Sequence, residues 1–149
     1  LKPGEANLYG LIGAEANEVK GGKRPLSSMS PTFVFKDKDL YLVTGTPGGA
    51  RILTTVLQII VDDLLFHLNP AEAIAAPRFH DQWLPDEIRV EKGLSPDTIH
   101  LLQEKGHTVR VKAVMGKVGT IRVTHDQKGQ QILEGAADPR NPDGAVVGY

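Results

Sequence analysis

Two short stretches of the sequence can hold an anion. Ser27 and Ser28 stand in PLSSMSPT (25–32), and Gly48-Gly49 stands in LVTGTPGGARI (42–52). Neighbouring hydroxyls suit a carboxylate, because they donate and an ionised carboxylate only accepts. The first amides of a helix have no intrahelical acceptor and sit at the positive end of its dipole. Two glycines at such a point let a substrate oxygen come close to bare N–H groups. A carboxylate, a phosphate or a tetrahedral oxyanion fits that description. Taken alone, the glycines equally suit a tight strand-to-helix turn, and the serines a cap.

Other chemistry is harder to find. The histidines at 67, 80, 100, 107 and 125 form no HExxH and share no helix face with carboxylates, so no metal site is expected. TGTPGGAR lacks the Lys-Ser/Thr ending of a phosphate-binding loop, and a single Gly-Gly is too little for a dinucleotide fingerprint. Neither serine lies in GxSxG, and no SxxK occurs. His80 beside Asp81 invites a catalytic reading, but a hydrogen-bonded structural histidine is expected. Asp62 and Asp63 point about a quarter-turn apart on a helix, so they read as a solvated helix end rather than a carboxylate pair. The chain thus offers an oxyanion-type feature without a nucleophile, and no cofactor is implied.

The elements that must position these residues are legible. Thr32–Lys36 and Leu40–Thr44 alternate β-branched or aromatic residues around a short polar turn, which predicts a hairpin. A helix is expected from about Ala50 to Phe66, with apolar residues around most of its surface and therefore burial on more than one side. Asn69 caps a short helix starting at Pro70 and running through Ala76. The segment 76–87, APRFHDQWLPDE, reads as a packed loop. A strand at Ile88–Glu91 follows, then a helix capped by Ser95, starting at Pro96 and ended by Gly106. Three strands are expected at Thr108–Lys112, Gly119–Thr124 and Gln130–Glu134, with Asp126–Gly129 as a hairpin turn. Residues 1–24 hold five glycines and read as an irregular segment, either a lid or a frayed terminus. The tail GAADPRNPDGAVVGY also reads as irregular.

At 149 residues the chain fits one domain with a core of its own. A net charge of −1 argues against nucleic acid and against a polybasic membrane surface. No apolar run reaches the roughly 18 residues of a membrane span. The absence of cysteine excludes disulfides and thiolate chemistry. LKPGEANLYG has neither the basic start nor the apolar core of a signal peptide, and it lacks an initiator Met. The chain is accordingly read as a piece whose start lies elsewhere.

PLSSMSPT, LVTGTPGGARI, APRFHDQWLPDE and the ending ADPRNPDGAVVGY, taken together, resemble the C-terminal part of the small subunit of gamma-glutamyltranspeptidase. The resemblance spans essentially the whole chain. It implies an α+β fold, part of the α-β-β-α sandwich of N-terminal-nucleophile hydrolases, with mostly antiparallel strands and a long buried helix. Members of that family cut themselves into a large and a small subunit, and the new N-terminal threonine attacks the γ-glutamyl amide of glutathione. The γ-glutamyl group then passes to water or to an amino acid or peptide acceptor. Carried over, the resemblance implies that Ser27 and Ser28 bind the α-carboxylate of the γ-glutamyl group. It implies that the backbone N–H groups of Gly48 and Gly49 form the oxyanion hole, and that Pro3 to Ala14 is a lid loop with Tyr9 closing the pocket wall.

Residue 1 is Leu, which cannot serve as an N-terminal nucleophile. The threonine, its supporting residues and the arginine of the large subunit are expected on other polypeptide, so this chain alone is expected to be inactive. Its implied partners are the large subunit, the upstream part of the small subunit, a γ-glutamyl compound such as glutathione, and an acceptor. A periplasmic or extracellular location is implied by the family. The rival readings are a non-catalytic interaction fragment that docks through exposed sheet edges, and a related acylase of the same superfamily.

Overall fold

The structure is a computed structural model in which residues 3–148 are described. Leu1, singled out above as unable to act as a nucleophile, lies outside the described residues.

The expected hairpin forms. Strand β1 (Thr32–Lys36) pairs antiparallel with β2 (Asp39–Gly45), from Thr32 opposite Thr44 to Lys36 opposite Asp39. The two-residue connection puts Asp37 at φ 57°, a left-handed position that Asp tolerates better than most residues. β2 also pairs with β6 (Gly119–His125), and β6 with β7 (Gln131–Ala137), giving an antiparallel sheet in the order β1-β2-β6-β7. A smaller sheet holds β3 (Phe79–His80), β4 (Ile88–Val90) and β5 (Val109–Val111). Its β4–β5 pair is parallel, and helix α3 (Pro96–Glu104) makes the crossover that parallel pairing requires. Ser95 stands at the N-cap of α3 without making a side-chain cap bond.

Helix α1 (Arg51–Leu64) buries Ile52, Thr55, Val56, Ile59 and Asp63, which recur at the three- and four-residue spacing of one helix face. Leu53 and Leu57 on the opposite face are more than half exposed. Within the described residues, therefore, only one stripe of a helix composed for wider cover is covered. Helix α2 (Pro70–Ala75) starts with a reciprocal cap: Glu72 N–H donates to Asn69 Oδ1 at 3.0 Å, and Asn69 N–H donates to Glu72 Oε2 at 2.9 Å. Ile59, Ala73, Ile74 and Val118 make the core under the sheet, with Leu68 and Ala136 packed against them.

Two segments differ from expectation. Strand β7 continues through Gly135, Ala136 and Ala137, where a Gly-rich tail was expected. These small residues pair with Ile121, Thr120 and Gly119 and let α2 lie close over the sheet. The segment 76–87 contributes the paired strand β3 as well as a loop. On the sheet face away from the core, Phe33, Phe35, Ile121 and Leu133 are exposed.

Candidate active site

The site is built at the turn from β2 into α1. Gly48 has φ 148° and Gly49 φ 60°, conformations that residues with a β-carbon rarely adopt. The carbonyls of Gly48 and Gly49 accept the first helical bonds, from Arg51 N–H at 3.3 Å and Ile52 N–H at 3.1 Å. Their own N–H groups have no hydrogen-bond partner among the described residues. No side chain caps α1, and its first turn holds no acidic residue, so the positive end of the helix is left unopposed.

Residues 3–14 fold over this turn as a compact loop. Asn7 Oδ1 accepts from Tyr9 N–H at 2.9 Å and from Leu11 N–H at 3.0 Å, and Ala6 bridges to Ile12. The ring of Tyr9 lies on Gly49. Gln82 Nε2 donates to the Tyr9 carbonyl at 2.9 Å, and Gln82 Oε1 pairs with His80 Nε2 at 2.8 Å. His80 Nδ1 in turn meets Thr54 Oγ1 of α1 at 2.8 Å. His80 is buried and held by both ring nitrogens, which is the structural histidine expected from the sequence. Its role is to tie the loop carrying Tyr9 to α1. Gln82 was not singled out by sequence reasoning, since a glutamine in a loop carries no spacing signal.

Ser27 is exposed and Ser28 half-buried. Ser27 Oγ accepts from Met29 N–H at 3.2 Å, whereas the Ser28 hydroxyl has no partner among the described residues. The hairpin register relates the serines to the glycines: Thr32 is opposite Thr44, Ser28 precedes Thr32 by four residues, and Gly48 follows Thr44 by four. Both clusters therefore leave the same end of the β1–β2 ladder.

The sequence matches the model of the family described as gamma-glutamyltranspeptidase over residues 1–148. The chain belongs to that family. A glutathione hydrolase proenzyme of Escherichia coli strain K12 is 57% identical over 148 residues, covering 99% of this chain and 25% of that protein. The chain thus spans about a quarter of the length of the curated relatives it matches. A solved gamma-glutamyltranspeptidase of Helicobacter pylori superposes with a TM-score of 0.89 at 50% identity, over 95% of this chain and 76% of that one. The enzyme of Pseudomonas nitroreducens complexed with L-DON gives 0.85 at 40% identity, over 100% of this chain and 77% of that one. The α+β architecture is that of this family, part of its α-β-β-α sandwich.

A buried ionic cluster supports the glycine turn from below. Arg78, fully buried, donates to Asp138 Oδ2 at 2.8 Å, to the Met115 carbonyl at 2.6 Å and to the Ile74 carbonyl at 3.0 Å. Arg140 grips Glu91 and also donates to the Ile74 and Ala76 carbonyls at 2.7 and 2.8 Å. The two acids then fix the segment 115–118: Glu91 accepts from Met115 N–H, and Asp138 from Val118 N–H at 2.6 Å. Lys117 N–H donates to Thr46 Oγ1 at 2.9 Å. Gly116 in this segment backs Gly48, its Cα 3.9 Å from where a Gly48 β-carbon would stand.

Burial works against ionisation of Glu91, but the Arg140 guanidinium and the N–H groups of Met115 and Arg78 outweigh it and hold its carboxyl below the usual range. Asp138 is likewise opposed by burial and held low by the N–H groups of Val118 and Arg140 and by Arg78. Burial lowers Arg78 despite these partners.

The reading of Asp62-Asp63 as a solvated helix end is corrected at Asp63. That side chain is buried, accepts from Tyr41 OH at 2.6 Å, and pairs with Arg122 at 3.3 Å. Its neighbour Asp62 has no such pairing, and burial pushes its carboxyl up. Among the described residues no group of His, Asp and Glu is arranged to hold a metal ion, and no helix is long and apolar enough to cross a membrane.

Proposed function

We propose that this chain forms the oxyanion and α-carboxylate side of a γ-glutamyl acyl-transfer site. The observation that carries the proposal is the pair of unpartnered N–H groups of Gly48 and Gly49, opening α1 beneath the ring of Tyr9. The reaction is attack of a threonine hydroxyl, supplied by other polypeptide, on the γ-carbonyl of glutathione or another γ-glutamyl amide. Charge then develops on the carbonyl oxygen, and the two amides donate to it where the dipole of α1 adds to their effect. The collapse of that intermediate releases the amine and leaves an ester. Water or an amino acid or peptide acceptor takes the γ-glutamyl group in the second half. Ser27 and Ser28 donate to the α-carboxylate of the γ-glutamyl group and so fix the carbonyl over the amides. Tyr9 keeps bulk water off the intermediate. No step calls for a cofactor.

The working enzyme on this reading includes a large subunit and the upstream part of the small subunit, and it acts in the periplasm or outside the cell. The identity to glutathione hydrolase proenzymes supports the reading. The test is hydrolysis of a γ-glutamyl anilide by the complete processed enzyme carrying Ser27→Ala and Ser28→Ala together. Each hydroxyl-to-carboxylate bond is worth about 1.5–3 kcal/mol, so KM should rise at least tenfold. An unchanged KM and turnover would remove the carboxylate role.

A further inference from the structure

The backbone of the glycine turn leaves one peptide group free to turn over. The plane that carries the Gly48 N–H is set by the ψ of Pro47 and the φ of Gly48. The proline ring fixes only its own φ, and Gly48, at φ 148°, has no β-carbon to resist rotation. The N–H has no partner among the described residues. Flipping this plane would also spare the helical bonds of the turn, which run to the carbonyls of Gly48 and Gly49.

One side chain holds the plane. Thr46 Oγ1 donates at 2.8 Å to the Pro47 carbonyl, the other end of the same peptide group. That carbonyl has no other partner among the described residues. The Pro47–Gly48 bond is trans, and in a planar trans peptide the C=O and N–H point in opposite directions. Fixing the carbonyl on the Thr46 side therefore aims the Gly48 N–H away from it.

The hydroxyl is itself held. Lys117 N–H donates to Thr46 Oγ1 at 2.9 Å, across 71 positions of sequence. That bond occupies a lone pair and leaves the single hydroxyl proton for Pro47. A β-carbon on Gly116 would stand 2.5 Å from Thr46 Oγ1, so a glycine lets the segment 115–118 come this close. Glu91 and Asp138 fix that segment in turn, through the N–H groups of Met115 and Val118.

We infer that Thr46 is a positioning residue of the oxyanion site: its hydroxyl locks the Pro47–Gly48 peptide so that the Gly48 N–H faces the developing charge. The inference rests on the γ-glutamyl transfer reading above. Thr46 acts through the backbone and touches no reacting atom. Its effect is the same on the attack that forms the ester and on the attack that breaks it, because each passes through a tetrahedral oxyanion. Loss of the hydroxyl therefore slows both steps by one factor. The turnover falls, while the KM of the donor, governed by the ratio of those steps and by Ser27 and Ser28, stays in place.

The experiment is steady-state hydrolysis of a γ-glutamyl anilide by the complete processed enzyme. Thr46→Val keeps the shape of the side chain without the donor, Thr46→Ala removes both, and Thr46→Ser keeps the hydroxyl. The valine and alanine variants should lose about tenfold in kcat, the factor of one neutral hydrogen bond, with KM within about twofold of the native value. Thr46→Ser should restore most of the loss. Alanine adds no bulk, so it decides the matter if a thermal melt shows that valine upsets the fold. Native kcat in the alanine variant, or a serine variant as slow as alanine, overturns the inference and leaves the transfer reading standing. A raised KM with unchanged kcat also overturns it, since that marks a displaced carboxylate site. If the native enzyme releases no anilide at all, the transfer reading itself falls, and this inference with it.

Discussion

The ring of Tyr9 lies so close over Gly49 that a β-carbon there would stand 2.6 Å from Tyr9 Cε2. Gly49 is also at φ 60°, where a side chain costs about 1–2 kcal/mol by itself. Gly49→Ala should therefore displace the loop bearing Tyr9 as well as strain the turn. We expect anilide hydrolysis by the complete enzyme to drop by up to about 10²–10³, the range for an oxyanion donor that is turned away from its target. Steady-state kinetics checks this, and near-native turnover would show that the turn is only a connector.

Gln82 holds the Tyr9 carbonyl through Nε2 and His80 through Oε1. Gln82→Glu keeps the shape and an acceptor for His80 but removes the amide donor. The lost bond is worth about 0.5–1.5 kcal/mol, so the segment 3–14 should open more often. Limited proteolysis should cut it several-fold faster than in the parent, with little change in the melting temperature. Equal cleavage rates would mean that the loop is held by Asn7 and its own backbone.

Removing one partner from the buried ionic cluster leaves an uncompensated charge. Asp138→Ala strands Arg78 and frees Val118 N–H, and we expect a loss of about 3–5 kcal/mol. Calorimetry or denaturant unfolding measures it.

The same cluster sets a pH dependence. Glu91 and Asp138 are both held below their usual values of 4.5 and 3.8 in the folded chain. The unfolded state therefore binds protons first as pH falls. Stability from these two groups is complete above the unfolded values, near pH 5 and higher, and is lost as pH drops below about 4 towards the folded values. A series of thermal melts from pH 6 to pH 2 should show this decline, and Asp138→Asn should flatten it. A decline of equal slope in that variant would place the acid sensitivity elsewhere.

Tyr41 of β2 donates to the buried Asp63 carboxylate of α1. A bond to a charged acceptor contributes about 1.5–3 kcal/mol, so Tyr41→Phe should lower stability by that order while Arg122 still neutralises the acid. Chemical denaturation checks the figure.

What the sequence shows and what it hides divides by range. The β1–β2 hairpin follows from alternation over a dozen residues, and α2 from Asn69 followed by Pro70. Local patterns of this kind survive without knowledge of the fold. Asp63 read as solvated because its partners, Tyr41 and Arg122, lie 22 and 59 positions away. Arg78 and Asp138 meet across 60 positions, and Arg140 and Glu91 across 49, so nothing near any of the four marks them as buried. The strand character of Gly135–Ala137 was hidden for a different reason: small residues suit a close helix as well as a loose tail. Gly48 and Gly49 were legible as a turn that could bare two amides at a helix start, but that no other group takes those amides shows only in the hydrogen bonds around them.

Those amides belong to peptide bonds, not to side chains, so no side-chain truncation can delete them, and proline, which lacks the N–H, cannot adopt the positive φ of either glycine. Alanine scanning reaches such a site only through the strain and displacement it causes around the donor. A semisynthetic chain with an ester in place of the amide at Gly48 or Gly49 would remove one hydrogen and leave every side chain as it is. Short of proline, inherited variation reaches these donors indirectly, by bending the backbone that aims them.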